Sequence, residues 1–402
     1  MNGTTPADLE PLPRDAVLLH IGPHKTGTTA IQAALAASRD RLAERDIAYP
    51  GRGNQHSREA MAALGLGFGF RGRGGGTFPE QEWERLASRV RRTRGRVVLS
   101  SEFFDVASAA QAEQVCSALG GDRVHVVVTL RPLARILPSS WQQTLKSGRR
   151  RHYEQWLKQV LTDSPEARAE QAFWTRHDHG SLIDRWAGVV GPERLTAAVL
   201  DERDHTWLYH VFERMLGLEE DFLTRPPGDR ANRSMSALEC ELLRRVNGHV
   251  ARHEVPWADY QQVIRDGAFR RILTEREPGP GEGPISTPGW ALDRSARFGA
   301  EAVEQIAASG VRVVGDLGHL AQRAAPTPKA KLPGPVQLRL MVHLVVGALS
   351  GSMRRGPDFG EVRTGWPPPT PTLDGVPTRH LARVLRGRLT EATRRRLRPE
   401  RG

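Results

Sequence analysis

The chain has 402 residues with a formal net charge of +12; 26% of residues are charged and 39% are hydrophobic. That length suits one large or two modest globular domains, and two cysteines exclude a disulfide scaffold and a four-cysteine zinc module. The charge invites a nucleic acid, a membrane surface or an acidic substrate as partner, but its placement argues otherwise: from Arg323 onward 16 basic residues face five acidic ones, so the first 322 residues are nearly neutral.

In chain order, residues 1–15 hold Asp8, Glu10 and several prolines and read as a flexible lead-in rather than a secretory leader. The apolar run 16–21 is a buried strand. Residues 28–45 carry Ile31, Ala34, Leu35 and Leu42 at helical spacing. A short strand over 47–49 follows. A helix over 80–94, a strand over 96–100 and a helix over 107–119 come next. Residues 124–130, Val-His-Val-Val-Val-Thr-Leu, form the strongest buried strand. Pro132 then opens a helix to Lys146. Helices over 153–162, 165–178 and 181–189 precede a strand over 195–200 and a helix over 206–216. A long amphipathic helix over 234–246, a Gly/Pro-rich loop over 278–288 and a short strand over 311–314 complete the body. The Gly-rich stretch 65–76 has two open readings, a lid or a disordered loop.

Strands alternating with helices imply an α/β fold, a central parallel sheet flanked by helices. Ligands in such folds sit beyond the carboxyl ends of the strands. The body is therefore expected over 16–322, with 323–402 a basic, partly disordered appendage that has some helical segments. The apolar run near 340–349 is about half the ~20 residues a membrane span needs, so a cytoplasmic location is expected. Nucleic acid is disfavoured as a partner, and the tail is left to an acidic partner, a membrane surface or simple solvation.

After the first strand comes Gly22-Pro23-His24-Lys25-Thr26-Gly27-Thr28-Thr29. A strand, a glycine turn and a helix N-terminus present unpaired N–H groups and the positive end of a dipole. Lys25 adds a point charge, and two threonines add hydroxyls. Only five of the 58 basic residues are lysines, which singles out Lys25. Triphosphate-binding loops end Gly-Lys-Ser/Thr, and no Gly-Lys pair occurs in the chain. A second cluster follows the strand 124–130: Arg131, and Ser139 eight residues on, two turns into the next helix. Arg131 can fork onto a phosphate. Arg135, between them, is either a further phosphate ligand or a surface charge.

These two motifs resemble the sulfotransferase family that uses 3′-phosphoadenosine 5′-phosphosulfate. The resemblance spans about residues 16–320 and is carried by the loop and by the Arg131/Ser139 spacing. It implies a P-loop-like sulfotransferase fold, needing no metal. It implies that His24, Lys25, Thr26, Gly27, Thr28 and Thr29 hold the 5′-phosphosulfate, and that Lys25 steadies the leaving oxygen. Arg131 and Ser139, with Arg135, would take the 3′-phosphate. The strand ending Ser100-Ser101-Glu102 lies where the family often carries its base, so Glu102 is the candidate base, or else caps the following helix. His56 is the rival base, or else a surface loop residue.

Two family features are missing. The stretch Ala30-Ile31-Gln32 has no tryptophan to stack on adenine, and no C-terminal Arg-Lys-Gly closes on the 3′-phosphate. The segment 230–234, with Arg233, is the candidate replacement cover. The resemblance implies a hydroxyl acceptor and leaves a carbohydrate, a glycolipid and a secondary metabolite all open. Two other classes stay open. One is an NTP-dependent phosphoryl transferase with an atypical loop. The other is a non-enzymatic anion-binding protein acting through its basic tail.

Overall fold

The computed structural model describes residues 4–225, 233–252, 254–279 and 281–328. Six parallel strands form one sheet: β1 (Val17–His20), β2 (Ile47–Ala48), β3 (Arg96–Ser100), β4 (Val124–Leu130), β5 (Leu195–Val199) and β6 (Arg312–Val314). Their order is β2-β3-β1-β4-β5-β6. His20 is level with Ser100 of β3 on one side and with Val127 of β4 on the other. The chain leaves β1 towards β3 and returns across it to β4, so the order reverses between β1 and β4. In open parallel sheets such a reversal opens a crevice at the carboxyl edge.

Both faces of the sheet are covered, as its nearly all-apolar strands require. Side chains alternate along each strand. Val17, Leu19, Val97, Leu99, Val126 and Val128 face one layer, where they meet α2 (Gln81–Arg92), α3 (Ala109–Leu119) and α5 (His179–Val190). Leu18, Val98 and Val127 face the other, against α1 (Thr28–Ala37) and α6 (Trp207–Met215). A third cluster joins α4 (Leu133–Lys146), α7 (Ala237–Arg252) and α8 (Gly289–Ala308) around Leu137, Trp141, Leu243 and Phe298.

Several expectations change. The helix expected over 28–45 breaks at Ser38, which is buried and whose hydroxyl accepts from the Thr224 N–H at 2.7 Å; a second short helix then covers Arg39–Ala43. The 20-residue helix α8 is an addition to the expected elements. Residues 4–15 are not a loose lead-in. Leu9 and Leu12 are buried, Thr4 bridges to Val314, and the Leu12 N–H donates to the Met215 carbonyl at 2.9 Å.

The Gly-rich stretch is a small packed flap. Gly67–Phe68 pairs antiparallel with Gly76–Thr77, and Phe70 sits edge-on to Trp257, centroids 4.9 Å apart. No helix among the described residues is long and apolar enough to cross a membrane. The appendage expected over 323–402 lies outside the described residues from position 329 onward.

Candidate functional site

The loop after β1 sits at the reversal point. Gly22 has φ +85°, and a Cβ there would lie 3.0 Å from both the Cα and the Cβ of Glu102. Glycine therefore lets the loop pass directly against the end of β3. Gly27, also at φ +85°, precedes α1 and offers it no capping side chain. The Ala30 N–H donates to the Gly27 carbonyl at 3.0 Å, and the N–H groups of Thr28 and Thr29 before it keep their ligand-binding capacity. Between the two glycines, Lys25 holds φ +72°. A non-glycine residue in that region is costly and is found at functional sites more often than elsewhere.

Lys25 is half-buried, and among the described residues its ammonium makes no hydrogen bond or ion pair. Burial pulls its pKa down, while the charge of Glu102 pulls it back up. A partly desolvated cation without a partner is a poor structural device and a good anion ligand.

The threonines divide their roles. The Thr26 hydroxyl is fully buried, 2.6 Å from the Pro23 carbonyl and 2.6 Å from the Thr129 hydroxyl. It locks the loop onto β4 and turns away from the crevice. The buried Thr28 hydroxyl lies 3.4 Å from the same Pro23 carbonyl. Thr29 is exposed.

At the end of β3, the Ser101 side chain caps the short turn Glu102–Val106 by accepting from the Phe103 N–H. Glu102 is therefore not the cap. Its Oε2 accepts from the Gln32 amide at 3.1 Å, and its Oε1 lies 4.0 Å from His24 Nε2. Only 18% of its side chain is exposed. Gln32 also donates to the Ser100 hydroxyl, which meets His20 Nδ1 at 2.9 Å. His20 Nε2 in turn reaches the Thr129 hydroxyl. A buried polar chain thus runs beneath the loop from Glu102 across β3, β1 and β4. Burial alone holds His20 neutral, its pKa pushed down to about 3.

His24 belongs to a second network. Its Nδ1 lies 3.2 Å from Asp105 Oδ2 and 2.9 Å from Arg176 Nη1, and Arg176 also donates to Asp105 Oδ1 at 2.6 Å. The Asp105 side chain is fully buried.

His56 is not a surface residue, and its ring nitrogens face backbone rather than the crevice. It is 2% exposed. Its Nδ1 accepts from the Ser100 N–H at 3.1 Å, and its Nε2 faces the Pro50 carbonyl at 2.8 Å. Both ring nitrogens are committed to backbone, and burial lowers its pKa. Its work is to join the 50–56 loop to the end of β3.

Across the crevice, Arg131 follows β4. Its Nε donates to Glu202 at 2.5 Å and its Nη1 to the Lys25 carbonyl at 3.3 Å. Arg135 reaches the other oxygen of Glu202 at 3.1 Å. Two guanidiniums therefore share one carboxylate, leaving a local excess of one positive charge. Ser139 is half-buried and donates within its own helix, to the Ile136 carbonyl at 2.9 Å.

Arg233 is elsewhere engaged. It grips Glu239 through two nitrogens, at 2.8 and 2.7 Å, and donates to the carbonyls of Leu273, Ile272 and Arg276. These contacts tie the start of α7 to the helix Arg270–Glu275 and leave the guanidinium committed within the protein. The preceding residues 226–232 lie outside the described residues.

Sequence reading missed Gln32, Asp105, Arg176 and Glu202, none of which carries a local motif. It also passed over Lys146 at the end of α4. Burial, then the charges of Lys25, Arg265 and Arg233, push its pKa down to about 8. The scarcity of lysine was the available signal.

No family model matches the chain, and no curated protein does. Among solved structures the chain is similar to the crystal structure of a sulfotransferase from Alicyclobacillus acidocaldarius. The identity is 15%, over 73% of this chain and 94% of that one, with a TM-score of 0.40. A likeness that loose assigns no chemistry to this chain; the chemistry rests on the residues described above.

Proposed function

We propose that the chain is a sulfotransferase that moves a sulfuryl group from 3′-phosphoadenosine 5′-phosphosulfate to a hydroxyl of a small molecule or glycan. The observation that carries the reading is that Lys25 and Glu102 stand on either side of the loop after β1, at the carboxyl edge of the sheet. Lys25, half-buried and without a partner among the described residues, stands in a loop that opens onto a helix N-terminus. The carboxylate of Glu102 contributes to its electrostatics from across the loop. A cation for a departing phosphate and an acceptor for a hydroxyl proton are the two groups such a transfer requires.

The side chains suit the donor. Lys25 and the first-turn N–H groups of α1 suit its phosphosulfate end, and the Arg131/Arg135 pair suits a second phosphate. The donor supplies an activated sulfuryl group on a phosphate leaving group. Glu102 takes the proton of the acceptor hydroxyl as the oxygen–sulfur bond forms. Lys25 neutralises the charge left on the phosphate oxygen as the old sulfur–oxygen bond breaks. Gln32 holds Glu102 by one oxygen and leaves the other facing His24 and the crevice. Positioning and fixed charge do most of this work, as in phosphoryl transfer.

Thermal unfolding with added nucleotide tests the reading. Adenosine 3′,5′-bisphosphate should stabilise the protein without magnesium, by about 2.7 kcal/mol at a hundred times its Kd. Stabilisation by magnesium ATP with no response to the bisphosphate would overturn it in favour of phosphoryl transfer.

A further inference from the structure

The position of the hydrogen on His24 decides which group can accept a proton. His24 Nδ1 has two polar neighbours: Arg176 Nη1 at 2.9 Å and Asp105 Oδ2 at 3.2 Å. They make opposite demands. A carboxylate asks Nδ1 to donate, whereas a guanidinium has only hydrogens to offer and asks it to accept.

Three observations favour the guanidinium. Its contact is the shorter. Arg176 also matches the Asp105 charge through Oδ1 at 2.6 Å, so Oδ2, whose one printed contact is with His24, belongs to an already compensated carboxylate. A hydrogen on Nδ1 would point towards a nitrogen that carries only hydrogens. Arg176 is also held in place: it lies in the last turn of the short helix Ala172–His177, 5.8 Å from the centroid of the Phe103 ring. His24 meets that same ring edge-on.

We propose that Arg176 is a positioning residue that fixes His24 in the tautomer with its hydrogen on Nε2, making His24 a hydrogen-bond donor and leaving Glu102 as the proton acceptor. The fate of a ring nitrogen is set by the partner of the other nitrogen. An aspartate acting alone would fix the opposite tautomer, with a basic Nε2 of the kind found in Asp-His pairs. Here Arg176, which touches both, reverses that outcome. The Nε2 hydrogen faces Glu102 Oε1 at 4.0 Å and can serve an anionic oxygen held in the loop. That last use rests on the sulfuryl-transfer reading; the tautomer does not.

Long-range proton–nitrogen NMR on the ¹⁵N-labelled full-length protein reads the tautomer directly. The His24 signals are assigned by their loss in His24→Gln. The expected result is a protonated Nε2 and a bare, pyridine-like Nδ1. In Arg176→Met the hydrogen should move to Nδ1, towards Asp105, while Arg176→Lys, which keeps a donor, should retain the wild-type pattern. A protonated Nδ1 in the wild-type protein overturns the proposal whether or not the variants fold. So does an unchanged tautomer in a folded Arg176→Met. The spectrum is taken without donor or acceptor, so a failure to transfer sulfate would remove the functional reading and leave the tautomer assignment standing.

Discussion

Replacing Lys25 separates binding from folding more cleanly than any other change in the crevice. Its ammonium has no hydrogen-bond or ion-pair partner among the described residues, so Lys25→Ala breaks no hydrogen bond or ion pair there and loses only the packing of a half-buried stem. The backbone at φ +72° is as unfavourable for alanine as for lysine. A lost partner and a new backbone strain are therefore both absent, and stability should stay within about 1 kcal/mol of wild type. Lys25→Gly additionally relieves the left-handed backbone, by about 1 kcal/mol, and should raise the Tm by about 1 °C.

Ligand affinity should move in the other direction. A charge-assisted contact contributes about 1.5–3 kcal/mol, so both variants should bind adenosine 3′,5′-bisphosphate about ten to a hundred times more weakly. Transfer should fall further, by about a hundred- to a thousandfold, since the cation acts most strongly on charge that develops during reaction. Calorimetric titration and thermal unfolding on the same samples give both quantities. Affinity within twofold of wild type would refute the argument. So would a loss of more than about 2 kcal/mol in stability, because Lys25 would then be a structural residue.

Glu202→Gln should tighten bisphosphate binding about three- to tenfold in titration calorimetry, because each exposed pair released from Arg131 and Arg135 is worth about 0.2–1 kcal/mol; weaker binding would make Glu202 part of the ligand site. His56→Ala should cost about 2–4 kcal/mol in urea unfolding by stranding the Ser100 N–H and the Pro50 carbonyl, while the activity per folded molecule persists. Lys146→Met should stabilise the protein at pH 7 by on the order of 2 kcal/mol. The native ammonium gives up its proton near pH 8, well below the unfolded value of about 10.4. The wild type therefore gains stability as pH rises through that window, and the advantage of methionine should vanish by about pH 10. Burial pushes His20 and His179 down to about 3 and about 4, so the unfolded chain binds their protons first. Each should subtract about 1.4 kcal/mol per pH unit as pH falls below about 6.5, and His20→Gln should flatten the acid limb of the stability curve.

The sheet and the loop were legible for a shared reason. All six strands appear as short apolar runs between helical patterns, because a parallel sheet covered on both faces leaves no polar register to blur them. Lys25 and Arg131 were legible because each lies directly after a strand, where the topology alone puts it at the crevice. Helix α8 was harder to see, since its buried stripe depends partly on small residues such as Ala291, Gly299 and Ala302. His56, Arg233 and His24 show where local reading ends. A histidine in a loop and an arginine before a helix are defined chemically by what occupies their nitrogens. For His56 the partners are the backbones of residues 50 and 100, and for Arg233 they are Glu239 and three carbonyls near 272–276. For His24 the deciding group is Arg176, 152 positions along the chain. The residue types that can do the chemistry are visible in the sequence, but which of them is free to do it is a property of the packing. The same packing that consumes His56 and Arg233 leaves the Lys25 ammonium without a hydrogen-bond or ion-pair partner among the described residues, and so free to take an anion.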